Sequence, residues 1–188
     1  MLFKQAGDFI LNKLENELSA TFYYHNLEHT KDVYASAERI GASEGISDYE
    51  MKLLLTAACY HDSGFLNVLP EHERESCSMA KTHLPDFDYT NEEIDRICGM
   101  IMATRLPQSP RTKLEEILAD ADLDYLGRDD FFTIGDKLCL ELGFTSRDEW
   151  NTVQLIFLED HKYFTQTALN LRGPKKQDNL QKVRALLQ

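Results

Sequence analysis

The chain has 188 residues, 43% of them hydrophobic and 28% charged, which is enough apolar material for one sizeable core and excludes a disordered chain. The 20 Lys and Arg residues against 32 Asp and Glu leave a net charge of −12, and so acidic a surface repels a polyanion, so nucleic acid is not an expected partner. Apolar runs such as Leu53 to Cys59 fall far short of the ~20 residues of a membrane span, and Met1-Leu2-Phe3-Lys4 lacks the build of a signal peptide; the expectation is a soluble, cytoplasmic protein with no membrane partner.

Apolar residues recur at three- and four-residue steps along most of the chain, with no period-2 alternation flanked by hairpin turns. The pattern predicts an all-α fold: one compact domain over residues 1–188 with about eight helices. These fall near 2–18, 27–43, 48–62, 70–84, 91–105, 112–126, 129–142 and 146–171, with a short helix after Pro174. Ser47 with Glu50, Thr90 with Glu93 and Ser146 with Glu149 each fit a capping box. Breaks are expected at Gly41 to Gly45, Ser63-Gly64, Pro85, Pro107 to Pro110, Gly127, Gly143 and Gly173-Pro174. Cys59, Cys77, Cys98 and Cys139 are scattered, with no paired spacing, and read as small buried hydrophobes of a reduced protein.

Ionisable residues occupy places on the inward helical stripes where aliphatic residues are expected. In the second helix the stripe Val33, Ala37, Ile40 runs back by four to His29. In the third, Leu54 and Ala58 lead to His61, with Asp62 beside it just ahead of Ser63-Gly64. The segment from Leu114 to Leu126 offers Asp120, Asp122 and Asp124. Helical phase puts Asp120 and Asp124 on a polar face with Lys113 and Glu116, and Asp122 on the apolar face with Leu114, Leu118 and Leu126.

A buried carboxylate must be paired, protonated or bound to a metal. No Lys or Arg shares these stripes, so a divalent cation held by His29, His61, Asp62 and Asp122 would satisfy all four. The competing reading makes each histidine a satisfied core residue and each aspartate a helix-end cap. Two imidazoles and two carboxylates suit Mn²⁺, Fe²⁺, Co²⁺ or Ni²⁺ better than Mg²⁺ or Zn²⁺, and coordination positions left to water suggest hydrolysis.

The stretches Tyr24-His25-Asn26-Leu27-Glu28-His29-Thr30, His61-Asp62-Ser63-Gly64 and Asp120-Ala121-Asp122-Leu123-Asp124-Tyr125-Leu126-Gly127 together resemble the HD superfamily of metal-dependent phosphohydrolases. The resemblance takes in His72-Glu73-Arg74-Glu75-Ser76 and Ile101-Met102-Ala103-Thr104, and so covers about residues 24–127. It implies an all-helical domain whose first His, His-Asp pair and distant Asp, here His29, His61, Asp62 and Asp122, bind a divalent metal that activates water against a phosphoester. The sequence departs from the family at Asn26, where some members carry arginine, and at Ser63, where an aliphatic is frequent.

Around this set, Glu73 is in phase with Cys77, Ala80 and Leu84 and is the expected general base or water-orienting residue, unless it is an exposed first-turn acid. His25 and His72 are expected to donate to phosphate oxygens from the rim of the site, unless each is an ordinary loop or helix-surface histidine. His161, in register with Trp150, Phe157, Phe164 and Ala168, either closes the pocket or caps a buried carbonyl. Thr104 and Arg105 beside the Pro-bounded loop, and Lys175 beside Gly173-Pro174, are expected to touch substrate, unless the basic residues only balance acidic neighbours. The partner is a small phosphoester, nucleotide-like, with a homodimer as a further expectation. Two rival readings stay open: a two-metal phosphodiesterase or oxygenase using His72 and His83, and a non-catalytic metal-binding regulatory domain.

Overall fold

The computed structural model describes residues 1–188 as nine α-helices without a strand: α1 (Phe3–Glu17), α2 (Leu27–Ser43), α3 (Asp48–Tyr60), α4 (His72–His83), α5 (Asn91–Thr104), α6 (Lys113–Asp122), α7 (Phe131–Glu141), α8 (Arg147–Asp160) and α9 (Gln166–Ala185). Single 3₁₀ turns follow α3, α4 and α6, at Ser63–Leu66, Leu84–Phe87 and Asp124–Gly127. No helix is long and apolar enough to cross a membrane.

Every residue of α3 from Leu53 to Tyr60 is buried, so these last turns of the helix have no solvent face and sit at the centre of the main core. α1, α2 and α5 pack around it, and α6 lies across α2 and α5. Fully buried side chains such as Leu53, Leu54, Ile97 and Leu118 each contribute roughly 1.5–3 kcal/mol of apolar burial. A second core under α7, α8 and α9 gathers Leu123, Tyr125, Leu126, Phe131, Leu158, Leu180 and Val183. Cys59, Cys77, Cys98 and Cys139 are free and buried.

The capping boxes at Ser47/Glu50 and Thr90/Glu93 are complete, whereas Ser146 caps α8 through the Glu149 amide without Glu149 reaching back. The long helix expected over 146–171 is two helices. The chain leaves α8 at His161 and re-enters helix after Thr165, because Asp120 draws the break inward: its carboxylate accepts from the Phe164 amide (2.9 Å), the Thr165 amide (2.8 Å) and the Thr165 hydroxyl (2.7 Å). Thr165 in turn caps α9 by accepting from Ala168. The break expected at Gly173-Pro174 is absent, and α9 runs through it. The helix is held on both sides of Pro174: Arg172 donates to Asp124 at 2.8 Å, and the Asn179 amide donates to the carbonyls of Leu126 and Arg128. A Cβ at Gly127 would overlap the Arg172 backbone, so only glycine lets α9 approach this closely.

Candidate metal centre

His29 enters the interior from the first turn of α2, whose start is fixed by Asn26: its side-chain oxygen accepts from the Glu28 amide (3.0 Å) and the His29 amide (3.2 Å). The Tyr24 ring lies on the His29 imidazole at 4.5 Å between centroids. His61 ends α3 and is fully buried, and its Nδ1–H donates to the Ala58 carbonyl at 2.8 Å, which turns the Nε2 lone pair toward His29. The turn after it is tied to α4 by Ser76, whose hydroxyl donates to the His61 carbonyl (2.7 Å) and accepts from the Gly64 amide (2.8 Å). A Cβ on Gly64 would overlap the His72 carbonyl, which explains the glycine here.

Four side chains converge. One donor atom each from His29, His61 and Asp122 lie within 4.8 Å of one another. His29 Nε2 is 3.3 Å from His61 Nε2, 3.3 Å from Asp62 Oδ2 and 3.2 Å from Asp122 Oδ1; His61 Nε2 is 3.2 Å from Asp62 Oδ2. Asp62 Oδ2 is buried without a hydrogen-bond partner. A divalent cation fits this set, because two imidazole nitrogens and two carboxylates face one point and an orphaned oxygen is left for it. Burial pulls both imidazoles down, but the two aspartates outweigh it and raise His29, and His61 well above its ordinary value. Burial pushes the carboxyls up, yet the histidines hold Asp122 at about 2 and Asp62 well below the usual carboxylate range.

Asp120 and Asp124 do not lie on a polar face: both are more deeply buried than Asp122. They are held by other partners: Asp120 by the α9 cap, and Asp124 through Oδ1 by Arg39 (2.9 Å) and Arg172 (2.8 Å), with Arg128 3.6 Å from its otherwise unpartnered Oδ2. Asp122, by contrast, faces the two histidines. Burial pushes the Asp120 carboxyl up to about 6 despite its three donors.

A cavity of about 500 Å³ opens from the centre, lined by His25, Asp62, His72, Glu73, Thr104, Arg105 and Asp122 among others. His72 Nε2 is 3.3 Å from Asp62 Oδ1 and 3.5 Å from Glu73, which is buried. Phe65 lies between the rings of His72, at 4.0 Å, and His25, at 4.6 Å. Thr104 Oγ1 donates to the Ile101 carbonyl at 2.8 Å, and Arg105 is 3.3 Å from Glu71 at the rim. Two expected contacts lie elsewhere. Lys175 pairs with Asp129 and Asp178, away from the cavity. His161 lines a neighbouring cavity with Phe164 and Lys162, where burial and Lys176 hold it down to about 3. His83 packs edge-on against Phe9 at 4.8 Å, outside the cavity.

Glu141, at the end of α7, was not singled out from the sequence. Its Oε2 accepts from the amides of Tyr24 (2.7 Å) and His25 (3.1 Å), and its Oε1 accepts from His25 Nδ1. Burial pushes its carboxyl up, but His25 and the two amides hold it below its ordinary value. The sole hint in the sequence is its place three residues after Leu138, which lines the cavity.

The protein is an all-helical bundle with two histidines and two aspartates facing one another at its centre. No family model matches the sequence, and no curated protein matches it. Solved structures do. A predicted HD superfamily hydrolase from an uncultured Thermotogales bacterium is similar at 19% identity and a TM-score of 0.67, over 96% of this chain and 90% of that one. Bacillus subtilis YpgQ, solved in complex with ADP, is similar at 22% identity and a TM-score of 0.69, over 99% and 95%. A Lactobacillus plantarum protein is similar at 16% identity and a TM-score of 0.73, over 99% and 97%. The chain therefore shares the fold of these proteins, one of them a predicted HD superfamily hydrolase, along nearly its whole length.

Proposed function

We propose that the protein is a metal-dependent phosphohydrolase that cleaves a nucleotide or another small phosphoester. The observation that carries the reading is the convergence of His29, His61 and Asp122 on one point beside the unpartnered oxygen of Asp62. The shared fold with the Thermotogales protein supports it, and the ADP bound by YpgQ agrees with a nucleotide-like ligand.

His29, His61, Asp62 and Asp122 would hold the cation, with Mn²⁺, Fe²⁺, Co²⁺ or Ni²⁺ favoured by the mixed nitrogen and oxygen donors. When bound, it acts as a Lewis acid that lowers the pKa of water from ~16 towards ~7 and draws on a phosphoryl oxygen. The chain's own groups do the rest. His61 is held in the ligating tautomer by Ala58. Glu73, buried beside His72, takes the proton of the attacking water. His25, fixed through Nδ1 by Glu141, keeps Nε2 free for a phosphate oxygen, and His72 and Arg105 present further donors.

The test is metal analysis followed by a phosphoester panel. About one divalent ion per chain and hydrolysis of a phosphoester are expected, both lost in His61→Ala while the helical circular dichroism is kept. Two ions per chain, weakened by His72→Ala, would favour a binuclear centre, for which the 3.3 Å contact of His72 with Asp62 is the relevant observation. Metal binding without cleavage of any phosphoester would leave a regulatory domain.

A further inference from the structure

The cavity beside the metal centre has two unlike ends. One carries Asp62, Asp122, His25, His72 and Glu73. The other runs between α7 and α8 and is walled by Leu126, Phe131, Leu138, Leu142 and Phe157. A volume of about 500 Å³ exceeds what a phosphate needs and matches the clefts that hold small organic ligands.

Two polar side chains are set into this apolar end, one helical turn apart on α8. Trp150 is 3% exposed, and its indole Nε1 finds no hydrogen-bond partner in the protein. Gln154 is 7% exposed, with its amide against Gly135 of α7. A buried donor without an acceptor disfavours folding; the indole Nε1 is sealed from a water-sized atom, so a ligand's acceptor meets it only after a side chain moves, whereas the Gln154 amide is open to one directly. The charges limit the rest of the ligand. Asp62, Glu71, Glu73 and Asp122 line the cavity, while its sole Lys or Arg is Arg105, already beside Glu71. Beyond the phosphoryl group at the metal centre, further phosphates would meet carboxylates.

We propose that the substrate is a phosphate monoester of an uncharged, ring-bearing alcohol, whose ring fills the compartment between α7 and α8 and offers an acceptor to Trp150 or Gln154. The proposal rests on the phosphohydrolase reading and specifies its substrate. In the reaction a bond forms between phosphorus and the oxygen of water and the bond from phosphorus to the alcohol oxygen breaks. One proton of the water passes to the departing oxygen, which leaves the free alcohol and inorganic phosphate.

Trp150 is the single tryptophan of the chain, so its emission reports directly on this compartment. The probes are benzylphosphonate, methylphosphonate and inorganic triphosphate, none of them a phosphate monoester, titrated into the full chain at a Mn²⁺ concentration shown by calorimetry to saturate it. Benzylphosphonate is expected to change Trp150 emission and to bind about tenfold or more tightly than either other probe. Gly135→Ala, whose new Cβ would come within 2.5 Å of the Gln154 amide nitrogen, is expected to weaken benzylphosphonate about tenfold and leave methylphosphonate unchanged. Gln154→Glu, which puts a charge into the compartment without changing its size, is expected to do the same. Equal affinity for the three probes, or benzylphosphonate binding that leaves the emission unchanged, overturns the proposal and leaves the phosphohydrolase reading standing; failure to bind Mn²⁺ overturns both.

Discussion

At the residue scale, the candidate metal centre is built from side chains whose second hydrogen bond fixes their first. His61 faces His29 because its other nitrogen is tied to the Ala58 carbonyl, and His25 faces the cavity because Glu141 holds its Nδ1. Glu141→Gln keeps the shape but replaces one acceptor oxygen with a donor, so kcat/KM is expected to fall by roughly tenfold to a hundredfold with Mn²⁺ affinity unchanged, read by steady-state kinetics and calorimetry on one preparation. The protonation of the centre has a definite sign. His29 and His61 are raised above their ordinary values by the aspartates, so in metal-free protein their contribution to stability is fully present below about pH 6.5 and is lost as pH rises through the raised values. Asp122, held at about 2, contributes stability that is lost only as pH falls toward that value. A cation must displace the imidazole protons, so Mn²⁺ binding at pH 7 is expected to release protons and to tighten as pH rises. Calorimetry in two buffers of different ionisation enthalpy measures this; a heat independent of buffer would contradict it.

At the element scale, the difference between one helix over 146–171 and the observed pair α8 and α9 is one carboxylate. Asp120 gathers two amides and a hydroxyl at the break, and Thr165 uses the same hydroxyl to cap α9. Thr165→Val removes both bonds and is expected to cost about 1–2 kcal/mol, seen as a lower midpoint of thermal unfolding. Ser76 does similar work between α3 and α4, bridging the His61 carbonyl and the Gly64 amide. Ser76→Ala leaves both groups buried and is expected to cost about 1–3 kcal/mol, and to weaken metal binding because the turn carrying Asp62 loses its tie to α4. Asn26 serves α2 as an N-cap that fixes the first turn and with it His29.

At the scale of the whole molecule, the candidate metal centre lies where the core around α3 meets the smaller core under α7, α8 and α9. His29 and His61 come from the first side, and Asp122 leads from α6 into the second. A cation that binds only when these parts are assembled stabilises the fold by mass action, by about 2.7 kcal/mol at one hundred times its dissociation constant. Mn²⁺ is therefore expected to raise the unfolding midpoint of the native chain and to leave that of Asp122→Asn nearly unchanged, in a thermal scan with and without the ion.

Much of this was present in local pattern. The 3.6-residue spacing, the caps at Ser47 and Thr90 and the motif residues His29, His61 and Asp62 follow from chemistry acting within a few positions along the chain. The buried Asp120 and Asp124 did not, because phase on a helix assumes one wet side, and α6 is covered there by Thr165, Arg39 and Arg172 from elsewhere in the chain. Glu141, the compartment at Trp150 and the path of α9 through Pro174 likewise depend on contacts between residues far apart in sequence. Periodicity and capping decide which segments are helical and which side chains point inward; which buried charge meets which partner is decided only when the helices pack, since that pairing acts through space.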